Sequence, residues 1–155
     1  MSRRNSRILA FQALYSWEVS QSSLEDLLAF SWLQKESDES GNEVSESSDS
    51  TKEVSVEGLD VEEKTFAEML ITGTLEHVSE IDEIIKNHLS EKWSFDRVNK
   101  VTLAILRTAV YEIKYLAGSA KSIVIDEAVT IAKRYGADDA YKFINAILDK
   151  ISKEN

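Results

Sequence analysis

The sequence predicts an all-α protein, and three observations carry that expectation. The 155 residues contain no proline and only five glycines, so few strand or turn signals interrupt them. The chain is rich in Ala, Leu, Ile, Glu and Lys, most of them good helix formers. Apolar residues recur at three- and four-residue steps through most of the chain, the period of amphipathic helices. With 43% hydrophobic and 30% charged residues, the composition is that of one globular domain, 1–155, long enough to bury a core.

The elements follow in order. Residues 3–20 place Ala10, Leu14, Trp17 and Gln21 on one stripe, with Phe11 beside it. Residues 24–34 set Leu24, Leu27, Leu28 and Trp32 at helical spacing, with Ser22 or Ser23 as the cap. Residues 36–57 break the pattern: eight acids against one base give −7 of the chain's −10, with seven serines and almost nothing apolar. Such a stretch cannot offset the entropy of ordering itself, so a disordered insertion loop between two helices is expected. Residues 60–90 carry Phe66, Leu70, Gly73, Val78, Ile81, Ile85 and Leu89, with Gly73 and Ser79 as places for a break into two helices. Residues 97–116 line up Val101, Ile105, Ala109 and Ile113, with Gly118 as the stop. Residues 123–135 show Ile125, Ala128, Ala132 and Tyr135 before Gly136, and residues 138–152 show Ala140, Phe143 or Ile144, Ile147, Leu148 and Ile151 after an Asp138 N-cap. The total is six or seven helices.

Composition also excludes chemistry. Without cysteine there is no disulfide, thiol nucleophile or Cys-based zinc site. His77 and His88 lack partners at zinc-ligand spacing and read as ordinary helix histidines, so no metal and no cofactor is expected. The acid pairs Asp126–Glu127 and Asp138–Asp139 are read as first-turn residues that complement helix dipoles. Nothing points to an enzyme. No apolar run is long enough to span a membrane and the opening is no secretory signal, so a cytoplasmic protein is expected.

The informative cluster is Arg3, Arg4 and Arg7. No acid precedes Glu18, so an acidic chain opens on a positive end, and the planar arginine fork suits phosphate. With Arg7 at zero on a helical wheel, Arg3 falls at about −40°, Arg4 at about +60°, Phe11 at about +40° and Tyr15 at about +80°. Arg7 to Tyr15 is roughly 12 Å along the axis, about two nucleotides of extended strand. Arginines leading to an aromatic rim suit single-stranded nucleic acid. Phe11 reads as core, whereas Tyr15 is equally well a core residue or a rim aromatic. Three phosphates neutralised would give a single-strand salt slope of only about −2, a modest affinity that a partner protein would extend.

Larger blocks carry a resemblance. Arg3-Arg4-Asn5-Ser6-Arg7 followed by Ala10-Phe11-Gln12-Ala13-Leu14-Tyr15-Ser16-Trp17 is similar to the opening of the NusB transcription antitermination factors. The similarity returns at Trp93-Ser94-Phe95-Asp96-Arg97, at Ile105 to Ile113, at Ile125-Asp126-Glu127-Ala128 and at Ala132-Lys133-Arg134-Tyr135-Gly136. It is most specific in Lys142-Phe143-Ile144-Asn145-Ala146-Ile147-Leu148-Asp149-Lys150.

The resemblance implies two small helical bundles packed together, and a non-enzymatic protein that binds boxA-type single-stranded RNA of ribosomal RNA leaders. It implies NusE, a ribosomal small-subunit protein, as partner, within a complex that lets RNA polymerase pass terminators, and it allows a homodimer of the free protein. It maps RNA contacts onto Arg3, Arg4, Arg7, Tyr15, Lys142 and Phe143, with Asp139 at the same edge. Thr102 and Leu103 depart from it, because many members carry an acid and a base there. The acidic loop is also longer than the family's usual connection, and its charge should keep it away from Arg3–Arg7. Two other classes fit the residues: a helical protein–protein adaptor whose arginines dock an acidic protein, and a detached RNA-docking fragment of an RNA methyltransferase.

Overall fold

A computed structural model of the chain describes residues 3–21, 23–29, 60–90, 94–116, 118 and 120–154. Among them are seven α-helices: α1 (Arg4–Ser20), α2 (Leu24–Ala29), α3 (Val61–Glu76), α4 (Val78–Asn87), α5 (Lys100–Tyr115), α6 (Lys121–Tyr135) and α7 (Ala140–Lys153). A 3-10 turn, Phe95–Arg97, precedes α5. The expected loop 36–57, Trp32 and Trp93 lie outside the described residues.

Local chemistry sets the helix ends, in several places differently from expectation. α1 stops at Ser20, so Gln21 is not part of its stripe. Gln21 takes a left-handed conformation (φ 59°), and its side-chain amide donates to the carbonyls of Trp17 and Glu18. Ser23 caps α2 by accepting from the Asp26 N–H, and Ser22, the other candidate, lies outside the described residues. α3 opens on a reciprocal capping box: the Asp60 carboxylate accepts from the Glu63 N–H, and the Glu63 carboxylate accepts from the Asp60 N–H. The break between α3 and α4 falls at His77 (φ −113°), not at Gly73 or Ser79. Gly73 serves close approach instead, because the Tyr111 ring occupies the space a Cβ would need.

α5 starts later than expected, where the Asn99 side chain accepts from the N–H groups of Val101 and Thr102. It ends when Leu116 turns extended, before Gly118 is reached. α7 begins at Ala140, flanked by Asp139 and not by Asp138, and the Asp139 side chain makes no capping bond. The first turn of α6 holds no acid, so Asp126 and Glu127 lie further along that helix.

The packing centres on α5. Every residue from Thr102 to Ile113 is buried, including Arg107, Thr108 and Glu112. A helix buried all round is a core helix. On one side it meets α1, α3 and α4, and on the other α6 and α7, which also pack on each other. Both groups share one apolar cluster, with Leu14, Leu70, Leu106, Ile144 and Leu148 fully enclosed. The Ser6 hydroxyl, also buried, donates to the Glu63 carbonyl at 2.7 Å and ties α1 to the start of α3. Phe11 belongs to this core, as its pattern predicts, and meets the Tyr135 ring edge-on at 5.4 Å.

Candidate nucleic-acid interface

The polar groups buried with α5 must find partners, because an uncompensated charge in a core costs several kcal/mol. Arg107 donates through Nε and Nη2 to both carboxylate oxygens of Asp82 on α4, and through Nη1 to Glu18 on α1 at 2.7 Å. Burial would lower the pKa of Arg107, but the hydrogen bonds with Asp82 and Glu18 outweigh it and hold the guanidinium charged. The hydrogen bond from Arg107 holds the Glu18 carboxyl below the usual carboxylate range, against an opposing effect of burial. Lys100 reaches the other Glu18 oxygen at 3.4 Å.

The same logic extends to an arginine of the opening cluster. Arg7 lays its guanidinium against Glu112 in a fork, Nε–Oε1 at 2.9 Å and Nη2–Oε2 at 2.6 Å. The two side chains are 11% and 2% exposed, so the pair is an internal clamp between α1 and α5. The expectation that all three arginines fan towards solvent is corrected for Arg7. The wheel gave its azimuth correctly but could not show that Glu112, 105 positions away, waits on that azimuth.

Arg4 makes a second fork, with both bonds to Glu127 of α6 at 2.9 Å, but its side chain stays 48% exposed. That hydrogen bond from Arg4 lowers the Glu127 carboxyl, again against burial. Arg3 is exposed, with its guanidinium 4.2 Å above the Phe66 ring of α3. It edges a groove of about 540 Å³ lined with Val61, Thr65, Phe66 and Met69.

Tyr15 is 39% exposed and stands on the surface, not in the core. Arg7–Glu112 near one end and Glu18–Lys100 near the other set α1 antiparallel to α5. Arg4–Glu127 and Phe11–Tyr135 set α1 parallel to α6. Tyr15, one turn beyond Phe11, therefore sits at the level of the first turns of α5 and just past the end of α6. Arg4 lies roughly 16 Å away along the α1 axis.

At that same end the α5 start and the α6–α7 corner enclose an open groove of about 410 Å³. Val98, Asn99 and Thr102 form one wall, and Ala137, Asp139, Ala140, Lys142 and Phe143 the other. The structure thus brings Asp139, Lys142 and Phe143 together. Asp139 and Lys142 stand 83% and 67% exposed with a loose ion pair at 3.9 Å, and Phe143 is half-buried against the core. Of the two departing positions, Thr102 lines this groove and Leu103 is core. The groove joins an apolar floor to a carboxylate and an ammonium at its rim, so it can take a planar ring and neutralise a neighbouring phosphate.

Sequence reasoning passed over three groups here. Glu112 and Glu127 were invisible as arginine partners. Asn99 was the capping residue and groove wall that a short polar side chain before an apolar run signals. Lys133 stands only inside a matching block and Tyr141 in none, although Lys133 lies 4.9 Å over the Tyr141 ring. The histidines do structural work. His77 stacks on Tyr115 at 4.2 Å, and His88 meets Glu154 at 2.9 Å.

These features define an all-helical protein with an open face of basic and aromatic side chains at the α1, α5 and α7 ends. Among the described residues no group of three His, Cys, Asp or Glu side chains could hold a metal, and no helix is long and apolar enough to cross a membrane. The sequence pattern of the NusB family matches residues 4–153, and the chain belongs to that family. The transcription antitermination protein NusB of Treponema denticola is 41% identical over the whole chain and 98% of its own length. NusB of T. maritima superposes with a TM-score of 0.77 at 34% identity, covering 100% of this chain and 93% of that one. A crystal structure of antitermination factors NusB and NusE in complex with dsRNA contains a chain that superposes at 0.74 with 26% identity, covering 99% and 97%.

Proposed function

We propose that this protein is an RNA-binding transcription antitermination factor. It binds boxA-type single-stranded RNA of ribosomal RNA leaders together with NusE, and in that complex helps RNA polymerase pass terminators in the cytoplasm. Its work is binding, not catalysis. The observation that carries the reading is the groove in which Phe143, Lys142 and Asp139 meet the start of α5, at the same end of the helices as exposed Tyr15. Support comes from the antitermination role named for the T. denticola relative, and from the RNA and NusE beside the similar chain in the solved complex.

The parts divide the labour. Phe143 and Tyr15 offer apolar and aromatic surface to bases, Lys142 meets a phosphate, and the Asp139 carboxylate accepts from base N–H groups. Arg3 and Arg4 make the positive end of the track. Arg7 contributes as a positioning residue, because its clamp on Glu112 fixes the face of α1 that carries them. Single strands are favoured over duplex because stacking on exposed aromatics needs unpaired bases.

The test is a polarisation titration of labelled boxA-type RNA, its scrambled counterpart and a duplex, each with and without NusE. Preferential binding of the boxA-type strand, tightened by NusE, is expected. Equal binding of scrambled RNA, or none, would return the protein to the adaptor class.

A further inference from the structure

The arginines that open the chain spend much of their charge on carboxylates, and the structure shows where less compensated charge lies. Lys133, in the last turn of α6, holds its Nζ 4.9 Å from the centre of the Tyr141 ring. Lys142, one residue beyond Tyr141 in the first turn of α7, holds its Nζ 6.0 Å from the same ring. Two ammonium groups thus converge on one aromatic side chain from two helices. Lys133 has no carboxylate within 4.0 Å among the described residues, and Lys142 has only the loose, exposed Asp139 contact at 3.9 Å. Two like charges gathered at a ring repel each other unless an anion lies between them.

Part of this has a structural cause, since Lys133 also complements the negative end of the α6 dipole. That cause accounts for a cation at the helix end. It does not account for the convergence of a second cation from α7 on the same ring. The patch is continuous with the groove, because Lys142 belongs to both.

We infer that Lys133 and Lys142, both gathered at Tyr141, form a phosphate-binding subsite that carries the RNA strand from the Phe143 groove around the α6–α7 corner. The phosphate bridges the two ammonium groups, and the adjoining ribose or base lies on the Tyr141 ring in place of the lysine contacts. The inference rests on the RNA reading above and extends it to Lys133 and Tyr141.

Its test is the salt dependence of binding of a short labelled boxA-type single-stranded RNA to the full chain in its NusE complex. One phosphate on a single strand contributes about 0.7 to the slope of log affinity against log salt. Lys133→Gln combined with Lys142→Gln should flatten the slope by about 0.7 and weaken binding about 5-fold at roughly 0.1 M salt, converging on the wild type near about 1 M. Lys133→Gln alone should lose part of the same slope. Lys150→Gln, at an exposed position further along α7, should change neither. Tyr141→Leu should weaken binding with the slope kept. If the wild type binds and Lys133→Gln keeps the full slope, the subsite is wrong while the RNA function stands. Loss of affinity at constant slope in the double variant would also overturn it, since a phosphate contact must appear in the slope. If the wild type does not discriminate boxA-type RNA, both readings fall together.

Discussion

Replacing Arg7 by Met should destabilise the fold far more than it disturbs RNA binding. The side chains of Arg7 and Glu112 are 11% and 2% exposed and joined by two hydrogen bonds. Removing the guanidinium takes the forked cation away from a carboxylate buried in α5, and breaking a buried pair in this way costs about 3–5 kcal/mol. The lower end, about 3 kcal/mol, applies here because the gap left by Arg7 opens a short path for water to Glu112. For a domain of this size each kcal/mol moves the melting temperature by about 2–4 °C, so a fall of about 6–12 °C is expected. The companion variant, Arg7→Met with Glu112→Met, removes both charges and should recover to within about 1 kcal/mol of the wild type, since apolar replacement of a whole buried pair is often neutral. Arg4→Met, at the more exposed Glu127 pair, should cost only about 0–1 kcal/mol. Thermal and urea unfolding of the four proteins read these values. A melting temperature unchanged in Arg7→Met, or a double variant no better than the single one, would show that the clamp is not what holds α1 to α5. Arg7 would then be released for direct contact with phosphate.

Other perturbations probe separate parts of the account. Tyr15→Ala should weaken RNA binding by about 1–3 kcal/mol with the salt slope unchanged, as for a lost stacking contact; a drop in melting temperature without any loss of affinity would return Tyr15 to a structural role. Gly73→Val should push the Tyr111 ring from its place and cost about 1–3 kcal/mol, and unaltered unfolding would refute the close approach. Tyr115 has its pKa raised to about 12, first by the hydrogen bond it donates to Glu80 and then by burial. Its folded pKa lies above the ordinary tyrosine value of 10.0, so its contribution to stability is complete below pH 10 and is lost as pH rises towards 12. Ultraviolet titration of tyrosinate should show a late step that Glu80→Gln moves down towards pH 10, and a late step untouched by that change would refute the pairing.

Much of the fold is legible because helix periodicity is a local signal. The stripe through Val101, Ile105, Ala109 and Ile113 locates α5, and the run of small and apolar residues around it explains why the helix is central. The partner of each buried charge is not local. Arg7 meets Glu112 and Arg4 meets Glu127 across 105 and 123 positions, so a wheel drawn on α1 alone gives direction without destination. This is why the clamp between Arg7 and Glu112 is not legible in the sequence. Helix ends failed where glycine was given too much weight. Leu116 ends α5 by backbone conformation before Gly118, and Gly73 lies inside α3 to admit a ring. The groove was half legible. Lys142 and Phe143 came from resemblance, whereas Val98, Asn99 and Thr102 join them only once α5 packs on α7. Lys133 and Tyr141 sit eight positions apart on two helices, and their contact exists only because the chain turns between them.

The most direct test of the RNA face is ultraviolet crosslinking of boxA-type RNA to the chain in its NusE complex, with the modified residues located by mass spectrometry. The account predicts crosslinks at Tyr15, Phe143 and Tyr141, on α1 and α7 around one groove. Crosslinks confined to the α3–α4 side, at Phe66, Tyr111 or Tyr115, would contradict it.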